Sequence, residues 1–226
     1  MKNKFSEHYK KVLQDFGPQQ NLLIVTKTRT IEEIKAYYDL GHRHFGENRV
    51  QELQAKAREL EESCPGIHWH MIGHLQSNKI KDLYKVKSLY AIHSVDSLNL
   101  LEQLIKLEDR LENEVKVFLQ FNTSREEEKS GFEEIADLEK CVEILKGPTH
   151  LKLQGLMTMG ALRVKDQLKS ARVCFEELVS IKQQLESKYH LQLELSMGMS
   201  QDYHVALSCG SNWLRLGTMM FEGEGL

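Results

Sequence analysis

Residues 21–46 read NLLIVTKTRTIEEIKAYYDLGHRHFG, and the order of patterns inside this stretch decides the fold. Leu22–Thr26 is a short apolar run rich in β-branched residues, which reads as a buried strand. Ile31–Leu40 spaces its apolar residues at helical intervals, and Thr30 stands where an N-cap belongs. His42–Gly46 is a second, weaker strand. A strand, a helix and a strand joined this closely form a parallel βαβ unit. The first strand ends in Thr26-Lys27-Thr28 with no glycine, so the Gly-rich turn of an open dinucleotide-binding sheet is missing.

The same alternation runs through the rest of the chain. Strands are expected at Ile67–Ile72, Leu89–His93, Val115–Phe121, Leu151–Thr158, Leu191–Leu195 and Trp213–Leu216. Helices are expected at Asn48–Leu60, Ser77–Tyr84, after Asp96 as a cap, and at Phe132–Leu145, Asp166–Tyr189 and Gln201–Ser208. Eight strands favour closure, because a barrel leaves no unpaired edge. The expected fold is α/β, a single (β/α)8 TIM-type barrel over residues 1–226, with an extra N-terminal helix at Phe5–Phe16 covering its bottom or side. A chain of 226 residues suits one such barrel, for which roughly 250 residues is typical.

Composition narrows the function. Charged residues make up 28% of the chain but the net charge is only -3, which gives no electrostatic reason to expect nucleic acid or an anionic membrane as partner. No run of about 18 apolar residues is present to span a bilayer. Cys64, Cys141, Cys174 and Cys209 are far apart, which fits a reducing, cytoplasmic compartment better than a disulfide framework. The N-terminal stretch is charged and lacks the apolar core of a signal peptide.

Barrel chemistry collects at the C-terminal strand ends. There the sequence offers Lys27, Asn48, His74, Ser196, Arg215, Gly217 and Thr218. A lysine closing strand one is either a solvated end or an amine placed for attack on a carbonyl. Phosphate sites in barrels are often built after strands seven and eight. Ser196-Met197-Gly198-Met199-Ser200 and Gly217-Thr218 supply hydroxyls and backbone N–H groups at those two places. Strand alternation puts Trp213 and Arg215 on one face, where the arginine either joins a structural ion pair or faces a ligand. His68 and His70 also share a face, which leaves a metal-dependent hydrolase as a competitor; the arginine at strand eight repels a cation and argues against it. The alternative for this segment is one histidine plugging the core with His74 at the mouth. Ser124–Lys129 reads as a solvated loop.

With these residues in view, the chain resembles the pyridoxal phosphate (PLP) homeostasis proteins, which are related to the barrel domain of bacterial alanine racemase. The matching segments are VTKT (25–28), HFGENRVQE (44–52), IHWHMIGHLQSNK (67–79), HSVD (93–96), NTSREEEKSGF (122–132), GLMTM (155–159), LSMGMSQD (195–202) and LRLGT (214–218). The resemblance implies pyridoxal 5′-phosphate held as a Schiff base on Lys27. It implies phosphate contacts from Ser196, Gly217 and Thr218 with Ser200 close by, Arg215 facing the pyridine nitrogen, and Asn48 near the ring. An arginine can only donate, so it disfavours a proton on that nitrogen and weakens the ring as an electron sink. The expected function is therefore a carrier, not an enzyme, that buffers PLP or delivers it to PLP-dependent apoenzymes in vitamin B6 homeostasis. The alternative is a small amino-acid racemase. Racemisation needs acid–base groups on both faces of the substrate, and the second group of the racemases comes from a further domain for which a chain ending at Leu226 leaves no room. A monomer is expected, since no apolar interface stripe stands out.

Overall fold

The computed structural model describes residues 2–126, 129–160 and 165–222. Among them eight parallel strands close in sequence order into a barrel: β1 (Asn21–Val25), β2 (His44–Glu47), β3 (His68–Met71), β4 (Leu89–Val95), β5 (Val115–Gln120), β6 (Leu151–Met157), β7 (Glu194–Met199) and β8 (Trp213–Leu216). The ring is sealed where β1 pairs β8, with Asn21 opposite Trp213 and Ile24 opposite Leu216. This is the (β/α)8 architecture that the alternation predicts.

The helices are α1 (Lys2–Gln14), α2 (Ile31–Asp39), α3 (Val50–Leu60), α4 (Ile80–Leu83), α5 (Leu98–Lys106), α6 (Ile135–Leu145), α7 (Gln167–Tyr189), α8 (Tyr203–Ser208) and α9 (Thr218–Glu222). Thr30 caps α2 in a reciprocal capping box with Glu33. Helix α1 lies on the barrel's side, where Tyr9 packs edge-on against Tyr37 of α2 and Tyr203 of α8 donates to Asp15.

Two apolar cores result. The larger lies between barrel and helices and holds Phe45, Trp69, Leu101, Phe175 and Leu214. The smaller fills the lumen with Leu23, Ala91, Phe118, Met157 and Trp213. Branched aliphatics dominate most barrel interiors; this one also takes in histidines and an arginine.

Four expected boundaries move, each for a local reason. Strand β7 runs Glu194–Met199 instead of Leu191–Leu195. His190 ends α7 in the left-handed region, which leaves Leu191 in the connection. Gly198 then allows the strand to continue through SMGM. Its φ is 95°, the β7–β8 register shifts around it, and a Cβ there would lie 2.5 Å from the Ala206 Cβ and 2.9 Å from Leu214. Ser196 is consequently inside the strand and not in the loop beyond it. Ser97, not Asp96, caps α5. Helix α6 starts at Ile135 instead of Phe132, because Phe132 is held in a bridge to Phe121. Helix α3 starts at Val50, leaving Asn48 free at the rim. Of the Ser124–Lys129 loop, residues 127 and 128 lie outside the described residues.

Gly198→Ala combines a left-handed backbone with a steric clash. It should destabilise the protein by about 2 kcal/mol, read as a lower urea midpoint at unchanged slope. Ala206→Gly in the same chain removes the nearest clash but not the backbone strain, so it should restore only part of the loss.

Candidate functional site

The site is assembled at the C-terminal rim, starting from β1. Lys27 follows the strand directly and is exposed. The next residue, Thr28, has φ 63°, a left-handed conformation that is unusual for a β-branched side chain. Such strain persists only where the surroundings impose it, and here the turn is anchored from below. Thr26, fully buried, donates through Oγ1 to Glu47 Oε1 at 2.7 Å. Lys56 of α3 reaches the same carboxylate oxygen at 2.6 Å and the Thr26 carbonyl at 2.7 Å. Burial pushes the Glu47 carboxyl up, against the opposing pull of Lys56 and Thr26. The ends of β1 and β2 are thus tied together under the lysine.

Asn48 comes next on the rim. Its Oδ1 is buried and has no hydrogen-bond partner among the described residues. Gly73, after β3, is pressed against it: a Cβ at that position would sit 2.2 Å from the Asn48 carbonyl oxygen. His74 follows, half out in solvent, and pairs with Asp96 at 3.0 Å.

Across the barrel, Arg215 of β8 points into the lumen, buried. Its Nη1 donates to the Ser196 carbonyl at 2.7 Å and to Ser196 Oγ at 2.8 Å, and its Nη2 donates to the Thr158 carbonyl at 2.9 Å. All three acceptors are uncharged. Burial lowers the guanidinium to about 10, partly opposed by the Asp202 carboxylate, so it remains charged at neutral pH. Asp202 itself accepts the Met199 N–H at 2.6 Å, and burial pushes its carboxyl up.

Ser196 Oγ also lies 2.8 Å from His93 Nδ1. From there contacts continue from His93 Nε2 to His70 Nδ1 at 2.9 Å and from His70 Nε2 to His44 Nδ1 at 3.0 Å. Burial drives His70 and His93 well below the ordinary histidine value and lowers His44 to about 3. On the outer wall His42 is lowered to about 4, again chiefly by burial. Both ring nitrogens of His70 are taken by other histidines, so neither is free to ligate a metal. His70 is the core plug and His74 lines the mouth.

At the ends of β7 and β8, Ser200 Oγ lies 3.4 Å from the Met219 N–H. Gly217 borders Val25 of β1, and a Cβ there would make only ordinary contact at 3.4 Å. Internal packing therefore does not demand glycine at this position. Of the residues proposed from sequence, the structure joins Ser196 to Arg215 and Ser200 to the Gly217–Met219 turn, and sets that turn beside the strand that carries Lys27. Ser196 lies within β7 and not in the loop beyond it, with its hydroxyl at 2.8 Å from both Arg215 Nη1 and His93 Nδ1. Sequence reasoning missed the line from His93 through His70 to His44. The available signal was a histidine at an inward position on each of three consecutive strands.

The family model described as alanine racemase, N-terminal domain, matches residues 2–224. A pyridoxal phosphate homeostasis protein of Helicobacter pylori is 38% identical over 201 residues, covering 89% of this chain and 86% of the relative. Those of Schizosaccharomyces pombe and Homo sapiens are each 35% identical, over 200 and 210 residues, covering 88% and 90% of this chain and 82% and 76% of the relatives. The chain belongs to the pyridoxal phosphate homeostasis protein family. Solved structures of PipY from Synechococcus elongatus match with a TM-score of 0.88 at 33% identity without PLP, and 0.84 at 32% identity with PLP bound. Both cover 96% of this chain and 99% of PipY. An alanine racemase of Clostridium difficile, 13% identical with a TM-score of 0.77, shares the fold with the family; the match covers 97% of this chain and 56% of the racemase.

The depressed histidines make stability depend on pH with a definite sign. Their folded values lie below the unfolded one, so their contribution is complete above pH 6.5 and is lost as the pH falls towards 4 and 3. Each histidine that the unfolded chain protonates and the fold does not contributes a slope of about 1.4 kcal/mol per pH unit. The urea midpoint should fall between pH 7 and pH 5, and His42→Gln should flatten the decline. A pH profile for His42→Gln as steep as that of the unaltered protein contradicts the assignment.

Proposed function

We propose that this chain binds pyridoxal 5′-phosphate covalently through Lys27 and acts as a carrier that buffers or delivers it in vitamin B6 homeostasis. The observation that carries this reading is an exposed lysine on a strained turn at the C-terminal rim, in a barrel whose lumen holds a buried arginine with only uncharged hydrogen-bond acceptors. When bound, the cofactor supplies an aldehyde for imine chemistry and a pyridine ring able to stabilise negative charge.

The residues suit such a group. The Lys27 amine is at the rim, where an aldehyde can reach it. Arg215 faces the ring-nitrogen end and, because it can only donate, keeps that nitrogen unprotonated. The unpartnered Asn48 Oδ1 is a buried acceptor beside the ring, able to take a hydrogen bond. Ser200, Gly217 and Thr218 receive the phosphate through hydroxyls and backbone N–H groups, with glycine leaving room for close approach. Ser196 acts at the ring-nitrogen end, by holding Arg215.

An arginine at the ring nitrogen favours storage over carbanion chemistry, and PLP-dependent apoenzymes are the recipients this reading supplies. The protein works as a monomer in the cytoplasm; no helix among the described residues is long and apolar enough to cross a membrane. A racemase is the second reading, and His74 with Asp96 is the rim pair that could offer a second acid–base group.

Three measurements test the proposal together. Purified protein with PLP should show a visible absorption band that borohydride abolishes, leaving the cofactor fixed to Lys27 in peptide mapping. Lys27→Ala should lose the trapped adduct and keep its unfolding midpoint, because the side chain is exposed. A reducible adduct surviving in that variant would mean that another lysine carries the cofactor. Chiral analysis after prolonged incubation with L-amino acids should show no turnover above the Lys27→Ala background; steady turnover that His74→Gln removes would favour the racemase.

A further inference from the structure

We infer that Arg215 sets the tautomers of His93, His70 and His44, and that this ordered column of neutral rings in turn is a positioning device for Arg215. The ligand half of the inference rests on the proposed PLP site; the tautomer half does not.

The first constraint is the Arg215 guanidinium. It donates and never accepts. Arg215 Nη1 at 2.8 Å therefore makes Ser196 Oγ an acceptor. The hydroxyl still has one hydrogen to place, and Ser196 is fully buried. Among the described residues the other polar partner of Oγ is His93 Nδ1, at 2.8 Å. The hydroxyl must donate to it, since the reverse arrangement strands a buried hydrogen without an acceptor. His93 then carries its proton on Nε2. That N–H donates to His70 Nδ1 at 2.9 Å, so His70 also carries its proton on Nε2. The step repeats to His44 Nδ1 at 3.0 Å. One side chain on β8 thus fixes the proton positions of three rings on β4, β3 and β2.

The rings are also packed against other aromatic side chains. His93 stacks on Phe118 with centroids 4.2 Å apart. His70 and His44 each pack 5.1 Å from Trp213, and Tyr90, itself 6.3 Å from Trp213, lies 5.0 and 5.1 Å from the same two rings.

The column does something an ion pair could not. A carboxylate would hold Arg215 equally firmly but would neutralise it. A hydroxyl backed by neutral imidazoles fixes the guanidinium and leaves its charge for the ligand. His93 and His70 are positioning residues in this sense, acting through Ser196.

The tautomers are read directly by long-range proton–nitrogen NMR of protein labelled with nitrogen-15 histidine, without added PLP. Signals are assigned with single His→Gln variants. His44, His70 and His93 should all show protonated Nε2 and bare Nδ1. In Ser196→Ala the hydrogen bond that orders the column is gone, and at least His93 should shift or enter exchange. Protonated Nδ1 on His93 or His70 in the unaltered protein overturns the inference, whatever the variants do.

The positioning half is read on PLP-loaded protein. His93→Phe keeps a flat ring in the lumen and removes the acceptor; it should still be trapped on Lys27 by borohydride, but with an altered visible spectrum and several-fold faster PLP release. His93→Asn retains an acceptor near the Nδ1 position and should recover much of the original release rate. A folded His93→Phe with unchanged spectrum and release refutes the positioning role. If the unaltered protein binds no PLP, the carrier reading fails by itself, and the NMR pattern still decides the column.

Discussion

A positive charge inside the barrel must be solvated by the protein, and much of the lumen is arranged around that requirement. Arg215 is buried in a medium where an isolated ion is very unfavourable. At hydrogen-bond distance the barrel answers with dipoles instead of a counter-charge. The Ser196 and Thr158 carbonyls and the Ser196 hydroxyl converge on the guanidinium. To present both its carbonyl and its hydroxyl there, Ser196 has to be inside β7, which requires the strand to continue past it. The left-handed Gly198 makes that continuation possible. The Asp202 carboxylate helps at longer range while its oxygen is tied to Met199. Backbone shape and buried charge are one problem here, solved at one place.

The rim beneath Lys27 follows a different logic. The Thr26–Glu47–Lys56 cluster consumes a buried carboxylate and an ammonium simply to fix the ends of two strands. Buried ion pairs contribute little net stability, but they hold geometry, and a lysine on a left-handed turn needs a rigid base if it is to point the same way each time. The contrast with Arg215 is instructive. The direct acceptors of Arg215 are neutral, whereas Lys56 meets a carboxylate.

Much of this was legible in the sequence. The capping box at Thr30, the uninterrupted alternation of apolar runs and helical patterns, and the lysine after LLIVT depend on neighbours within a few residues, and local physics determines them. Arg215, Gly217 and Thr218 could be placed at a strand end because WLRLGT has an unambiguous strand period. What could not be read depends on long-range contacts. SMGM looks like a turn because it has a serine and a glycine; only packing against Ala206 and Leu214 makes it strand. The Thr158 carbonyl is a backbone atom with no sequence signature. The histidine column needs the register of three strands at once: His70 was visible as part of an H-x-H pattern, but which of its neighbours it faced was not.

The two kinds of neutrality in the lumen bear on why a racemase-like barrel can serve as a carrier. In the proposed carrier, Arg215 at the ring-nitrogen end would withhold the proton that makes the ring a strong electron sink. The rings behind it have their proton affinity suppressed by burial, so they do not offer a proton at neutral pH either. A hydrogen-bonded line of imidazoles looks like a proton wire, yet its ligand end is closed by a guanidinium that keeps its own protons. Such a line can transmit orientation but not acid. That combination, a firm grip with no proton supply from beneath, suits the carrier role proposed above.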